Sequence, residues 1–283
     1  MVNGEKKMKF STCSIMYKDA GLERACEEAA SVGLDGIDIW MTPGMCEHLP
    51  PEPSKRQLDE VRLILQRTGL AVASITAYYT HSPAKGLDGL FSAMHVAKEL
   101  QAEVVVTSMV GGTYDITLRQ YVDYFSPAVQ EAERLGVKIA FENHSGQPLT
   151  RTTDLLLAFL SAFPSPNLGV TIAPAHLVTA GCDVEDAIRK VGKRVFFFYA
   201  WDHIPGVDDD GQGTFIWPPV DPHHHFPGQG RLPFNRFIAA LRDVGYEERG
   251  GWLNIMSHGC EAWPPRVVSE EVKKSLQWLR EQM

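Results

Sequence analysis

The chain has 283 residues, of which 44% are hydrophobic and 22% charged, with a formal net charge of −8 at pH 7. That composition provides for one large soluble core, and the acidic balance argues against a nucleic-acid partner, which would call for a basic face. No stretch approaches the roughly 18 apolar residues needed to cross a bilayer, so no membrane partner is expected.

Short β-branched or aromatic runs alternate with amphipathic helical stretches along the whole length. The first strand is expected at about 9–15 (KFSTCSI), and the turn after it, CSIMYKDAG, is not a glycine-rich phosphate loop. A second strand at about 36–40 ends on Trp40, a third lies at about 71–76, and a fourth at about 103–108 (EVVVTS). Leu87, Leu90, Met94, Ala97 and Leu100 recur at helical spacing before the fourth strand. Leu118, Tyr121, Phe125, Ala128, Ala132 and Leu135 do so after it, where Pro127 predicts a kink or a two-part helix. The remaining strands are expected at about 137–142 (VKIAFE), 168–172, 194–199 and 251–256. Five helices run into a glycine, Gly33, Gly69, Gly136, Gly192 and Gly245, each read as a helix stop.

Eight strands, each followed by a helix, predict a single-domain (β/α)8 TIM barrel over residues 1–283. A doubly wound open sheet is the rival, but it usually has fewer strands and often a phosphate turn after the first. Helix-to-strand links are short. Strand-to-helix links are long, at about 41–53, 77–85, 109–115, 143–150, 173–182, 200–233 and 257–266. In a barrel those long loops share the carboxyl face, which marks the working end. The Pro-, Gly- and Asp-rich 200–233 segment reads as a lid rather than a linker.

Histidines gather at that end. His48, His81, His144, His176, His203, His223, His224, His225 and His258 all follow strands, and His95 alone lies in a helical pattern. The opening MVNGEKKMKF lacks the apolar segment of a signal peptide. Cys13, Cys26, Cys46, Cys182 and Cys260 are widely spaced and odd in number, which suits a reducing cytoplasm better than a disulfide framework.

The strongest local signal is AFENHSG, 140–146, where strand alternation turns Glu142 and His144 the same way. A carboxylate there calls for a metal, a basic partner or a catalytic role, while Asn143 points oppositely and is expected to brace a loop. His176 is expected on the loop above the sixth strand. Tyr199, Trp201 and His203 fall on one side of the seventh strand if it continues; with His144 and Trp40 they are candidate substrate contacts, the aromatics serving equally as packing. In DPHHHFPGQGRLPF, 221–234, adjacent histidines on an extended segment alternate sides, so at most two of three could share a metal. The eighth strand directs Trp252, Asn254, Met256 and, if extended, His258 inward.

These motifs make the chain similar over essentially its whole length to the xylose isomerase-like TIM barrels, a superfamily of sugar and sugar-phosphate isomerases and epimerases. Hydroxypyruvate isomerases, inosose dehydratases and endonuclease IV also belong to it. The resemblance is carried by AFENH, by APAHLVTAG, by FFFYAWD and, most specifically, by PGQGRLPFNRFIAALRDVGYEERGGWL. It implies one divalent metal held by a Glu, an Asp, a His and a Glu from strands five to eight, the two glutamates also moving the substrate's proton. Carried over by position, the first is Glu142, while the others fall on Ala173, Tyr199 and Met256. Alanine and methionine offer nothing that suits a hard cation, so the usual metal site is expected not to form.

Three readings stay open. One is a metal-free isomerase or epimerase with Glu142 as base and His176, His203 or His258 as acid and electrophile, elimination being a close variant of its chemistry. A second moves a divalent metal (Zn, Fe or Mn) outward to Glu142, His144, His176, His203 and His258. The third is a non-catalytic carbohydrate-binding protein. The partner in each is a polyhydroxylated small molecule, and a homo-oligomer is compatible with all three. Arg151 and Arg231 are the only loop cations that invite a phosphate reading, and each reads first as a solvated surface charge.

Overall fold

The computed structural model describes residues 7–78, 86–108 and 116–283. His81 and most of the expected 77–85 and 109–115 loops lie outside the described residues. In chain order the elements are β1 (Lys9–Cys13), α1 (Gly21–Ser31), β2 (Gly36–Thr42), β3 (Cys46–Glu47), α2 (Lys55–Thr68), β4 (Ala71–Thr76), α3 (Asp88–Glu99), β5 (Val104–Thr107) and α4 (Leu118–Leu135). They continue as β6 (Lys138–Glu142), α5 (Thr153–Ala162), β7 (Leu168–Ile172), α6 (Pro174–Thr179), α7 (Val184–Val191), β8 (Val195–Ala200), α8 (Phe234–Asp243), β9 (Trp252–Ile255) and α9 (Pro265–Glu281).

Every strand except β3 pairs in parallel with its neighbours, in the order β1-β9-β8-β7-β6-β5-β4-β2, and a β1–β2 pairing closes the ring. The molecule is a single (β/α)8 barrel, as its alternation of strands and helices predicts. β3 is an antiparallel extra on the end of β2, through Met41–Glu47 and Thr42–Cys46. It is two residues long, too short for any periodicity to reveal it.

The helices form where sequence and caps agree. Ser54 and Gln57 make a capping box on α2, and Thr117 and Gln120 make one on α4. Gly69 and Gly136 end these two helices in the left-handed conformation, with φ of 72° and 69°. α4 runs unbroken from Leu118 to Leu135 with Pro127 inside it, so the expected two-part helix does not occur. The first strand stops at Cys13, two residues early, because Ser14–Ala20 turn into a 3-10 helix.

Strand alternation divides each side of the sheet. On β6, Phe141 points outward and packs against Phe125 of α4 and Phe159 of α5, at ring-centroid distances of 4.9 and 4.8 Å. On β8, Phe198 packs outward against Phe234 of α8. Their neighbours in sequence, Glu142 and Tyr199, must therefore face the barrel interior. The apolar ring of helices thus fixes which polar groups reach the axis.

Candidate active site

The site is built on inward-facing polar residues. Glu142 at the end of β6 is 3% exposed and its Oε2 accepts a 2.9 Å hydrogen bond from the Tyr78 hydroxyl. Burial pushes its carboxyl up to about 8, with the nearby Asp38 charge adding to the effect and the Tyr78 bond opposing it. Asp38 on β2 is fully buried and accepts from Ser74, Thr76 and the Trp40 indole at 2.7–2.9 Å. Parallel register sets Asp38 beside Ser74 and Trp40 beside Thr76. Burial raises Asp38 to about 6 against those three donors. Thr76 Oγ1 lies 3.2 Å from the Tyr199 hydroxyl, so a chain of hydroxyls leads from Asp38 into the floor beneath Glu142.

Above the floor is a cavity of about 360 Å3, within the range of small-molecule sites. Its lining includes Trp40, Tyr78, Glu142, His144, His176 and His258, with Trp201, Phe215 and Trp217 forming an aromatic side. Surface clefts of similar or larger volume, such as that among Arg24, Glu27, Arg266 and Glu270, lie between solvated helix-face charges away from the barrel mouth.

The imidazoles differ in what they can do. His144 and His176 stack with ring centroids 3.9 Å apart. Burial holds His144 down to about 4 and His176 well below the usual value, so both are neutral near pH 7. His144 Nδ1 accepts from the Gly146 backbone N–H at 3.1 Å, which puts its remaining proton on Nε2 as a donor. His176 Nδ1 is 3.1 Å from Ser145 Oγ. His258 Nδ1 is 3.1 Å from Glu261 Oε1, a carboxylate that fixes the ring's orientation and leaves Nε2 as its second polar atom. His176 sits in the first turn of the short helix α6 rather than on a loop, since Pro174 starts a helix directly after β7.

Other expected residues lie elsewhere. Tyr199 is fully buried under the cavity and does not line it. His203 also lies outside the lining, because β8 ends at Ala200 and the chain turns. Its Nε2 is 2.9 Å from Asp209 Oδ2, inside the 201–231 segment. Phe215 packs against both His176 and His203, standing between them. No three of Glu142, His144, His176, His203 and His258 group their ligand atoms within 4.8 Å. The His223–His225 run is a 3-10 turn, not an extended segment. His223 turns to Asp221, His224 to Asp208, and His225 goes inward, 1% exposed. Asn143 braces the next loop, exchanging two amide hydrogen bonds with the backbone of Ala173. Ala173 and Met256 are buried and off the cavity.

Sequence reasoning missed Tyr78, Asp38, Phe215, Trp217 and Glu261. Asp38 carried a readable signal, an acidic residue inside an apolar strand and in phase with Trp40. Glu261, three residues after His258, carried a weaker one. Tyr78 gave none, because its partner is 64 residues away.

Among the described residues all five cysteines are free, and no helix is long and apolar enough to cross a membrane. In sequence, the chain is 22% identical over 258 residues to fructoselysine 3-epimerase of Escherichia coli O157:H7, covering 85% of this chain and 88% of that one. In structure it superposes on D-allulose 3-epimerase from Methylomonas sp. with TM-score 0.74 at 17% identity, covering 98% and 99% of the two chains. It also superposes on the IOLI protein crystallised with a zinc atom, with TM-score 0.75 at 19% identity, covering 96% and 98%. The family model described as the xylose isomerase-like TIM barrel matches residues 26–282, and the chain belongs to that family.

Proposed function

We propose that the protein isomerises or epimerises an unphosphorylated, carbohydrate-like substrate by proton transfer at Glu142. The observation that carries this reading is Glu142 itself, a buried carboxyl with a pKa of about 8 in a cavity it shares with three histidines. A general base works best with a pKa near the working pH. In its ionised form Glu142 takes the proton from the carbon beside the substrate's carbonyl, and negative charge moves to the carbonyl oxygen. The Nε2–H of neutral His144 donates to that oxygen. Return of the proton to the former carbonyl carbon, with the hydroxyl proton of the attacked carbon passing to the former carbonyl oxygen, gives isomerisation. Delivery to the opposite face of the same carbon of a solvent proton relayed through His258 Nε2, its ring oriented by Glu261, gives epimerisation, and Glu142 then releases the proton it took to solvent. The relatives named as 3-epimerases are in keeping with this chemistry.

This reading dispenses with the divalent ion usual in the family. Of the four carried-over positions only Glu142 presents a carboxylate. Ala173 has a methyl, Met256 a thioether, and the Tyr199 phenol stays protonated, its pKa raised well above the usual value by burial, and meets Thr76. Such a set does not fit a hard cation. Specificity for an unphosphorylated substrate rests on the lining, which contains no Lys or Arg among the described residues; Arg151 and Arg231 are not part of it.

The test is deuterium exchange from D2O into ketohexoses, inososes and their phosphates, run on the protein as purified and again after stripping with a chelator. Deuterium is expected beside the carbonyl of an unphosphorylated sugar with the wild type, and none with Glu142→Gln. Exchange that survives Glu142→Gln, or that occurs only with a phosphorylated sugar, overturns the reading. Binding of a sugar without any exchange overturns it in favour of a non-catalytic carbohydrate-binding protein.

A further inference from the structure

Behind the aromatic side of the cavity lies a second polar cluster that the proposed reaction does not use. Trp201 and Phe215 stack with ring centroids 5.1 Å apart and 19° between planes. On the far side of this stack are His203, Asp208 and His225, which are 0%, 0% and 1% exposed. One ligand atom from each lies within 4.8 Å of the other two, the only such triad of His, Cys, Asp or Glu among the described residues. His203 Nδ1 and both ring nitrogens of His225 have no hydrogen-bond partner there. The His258 backbone also faces the His225 ring. Buried polar nitrogens are almost always satisfied, so these atoms gathered around one carboxylate call for a partner, water or ion.

The surroundings orient these atoms as ligands. His203 Nε2 is held by Asp209 Oδ2 at 2.9 Å, and Asp209 is itself fixed by the Gly206 and Gly211 N–H groups. With its proton on Nε2, His203 turns the lone pair of Nδ1 toward Asp208 Oδ2, 3.9 Å away. A carboxylate behind a ligating histidine is the usual outer support of a transition-metal site. The other Asp208 oxygen, Oδ1, is 3.1 Å from His224 Nδ1, and the Ile204 N–H donates to Oδ2.

We propose that His203, Asp208 and His225 form a binding site for a divalent transition-metal ion, Zn2+ in particular, which ties the two ends of the 201–231 segment together behind the substrate cavity. Two imidazoles and a carboxylate match the N/O donor set of zinc, with water in the fourth position. At zinc bond lengths of about 2.0–2.2 Å, tetrahedral ligands stand roughly 3.4 Å apart, so the triad closes by an ångström or so. The metal holds the segment that presents Trp201, Phe215 and Trp217 to the cavity. This site is independent of what Glu142 does.

Tag-free protein, stripped and then dialysed against Zn2+ or Co2+ alone, tests the proposal by metal content and by the visible absorption of tetrahedral Co2+. One equivalent per chain is expected in the wild type and in Glu142→Gln. His225→Gln and Asp208→Asn should lose it, and Asp209→Asn, which removes only the outer support, should weaken binding about 10–100-fold. Circular dichroism of each metal-free variant checks folding, and the Asp209→Asn series carries the test if a ligand variant does not fold. Absence of metal uptake by the folded wild type overturns the proposal. So does uptake that persists unchanged in the ligand variants, or uptake lost in Glu142→Gln.

Discussion

Glu142→Gln separates the charge of the buried carboxyl from its shape, and its effect on stability follows from the burial alone. The folded-state pKa is about 8 against an ordinary value of 4.5, so between these limits the native state holds a proton that the unfolded chain has released. Stability then falls as pH rises through that window, since the native state binds more protons than the unfolded one. Glutamine keeps an oxygen for the Tyr78 hydroxyl but has no charge to bury. Each pH unit inside the window is worth about 1.4 kcal/mol. Between about pH 6 and about pH 9 the advantage of the variant over the wild type should therefore grow by about 2–3 kcal/mol. Urea unfolding of both proteins at the two pH values measures this difference, and other titrating groups cancel in the comparison. A stability difference that stays flat with pH would mean that Glu142 ionises alike in folded and unfolded chains, and the account of the site as a desolvated base would be wrong.

Further outcomes follow from neighbouring contacts. Tyr78→Phe removes the hydrogen bond that lowers Glu142, a bond to a charged group worth about 1.5–3 kcal/mol, so the rising limb of the pH–rate profile should move up by about one to two pH units. An unmoved limb would detach Tyr78 from the base. His144 has the opposite sign: its pKa is held at about 4 below an ordinary 6.5, so stability is complete above about pH 6.5 and is lost as pH falls toward about 4. His144→Gln should remove up to about 3 kcal/mol of that acid sensitivity, as read by denaturant midpoints across the range. At Gly230 an added Cβ would lie 2.2 Å from Asp202 Oδ1 and 2.6 Å from the His203 backbone nitrogen. Gly230→Ala should cost about 1–3 kcal/mol and weaken substrate binding together, checked by thermal unfolding and calorimetric titration.

The barrel was legible because its signals are local and repeated: the alternation of strand and helix, the capping residues, and the glycines at φ near 70°. Strand parity turns Glu142 inward, and the structure agrees. Parity fails where regular strand ends. Beyond Ala200 the side chains no longer alternate, so His203 leaves the cavity for Asp209, and the three consecutive histidines each find a different environment in a 3-10 turn. Long-range partners were illegible for a second reason. Tyr78 reaches Glu142, and Thr76 reaches Tyr199, only because the ring closes, and nothing near either residue in the chain announces it.

The PGQG turn closes the 201–231 segment. Asp202 accepts backbone N–H bonds from His203, Gly228, Gly230 and Leu232, so a single carboxylate clasps the beginning of the segment to its end. Between these anchors Ile216, Trp217 and Val220 remain solvent-exposed, and Trp217 also touches the cavity. The tip can thus accumulate substitutions while its roots keep their positions on the barrel. Changes of substrate within such a protein can arise at the tip, leaving the proton-transfer floor as it was.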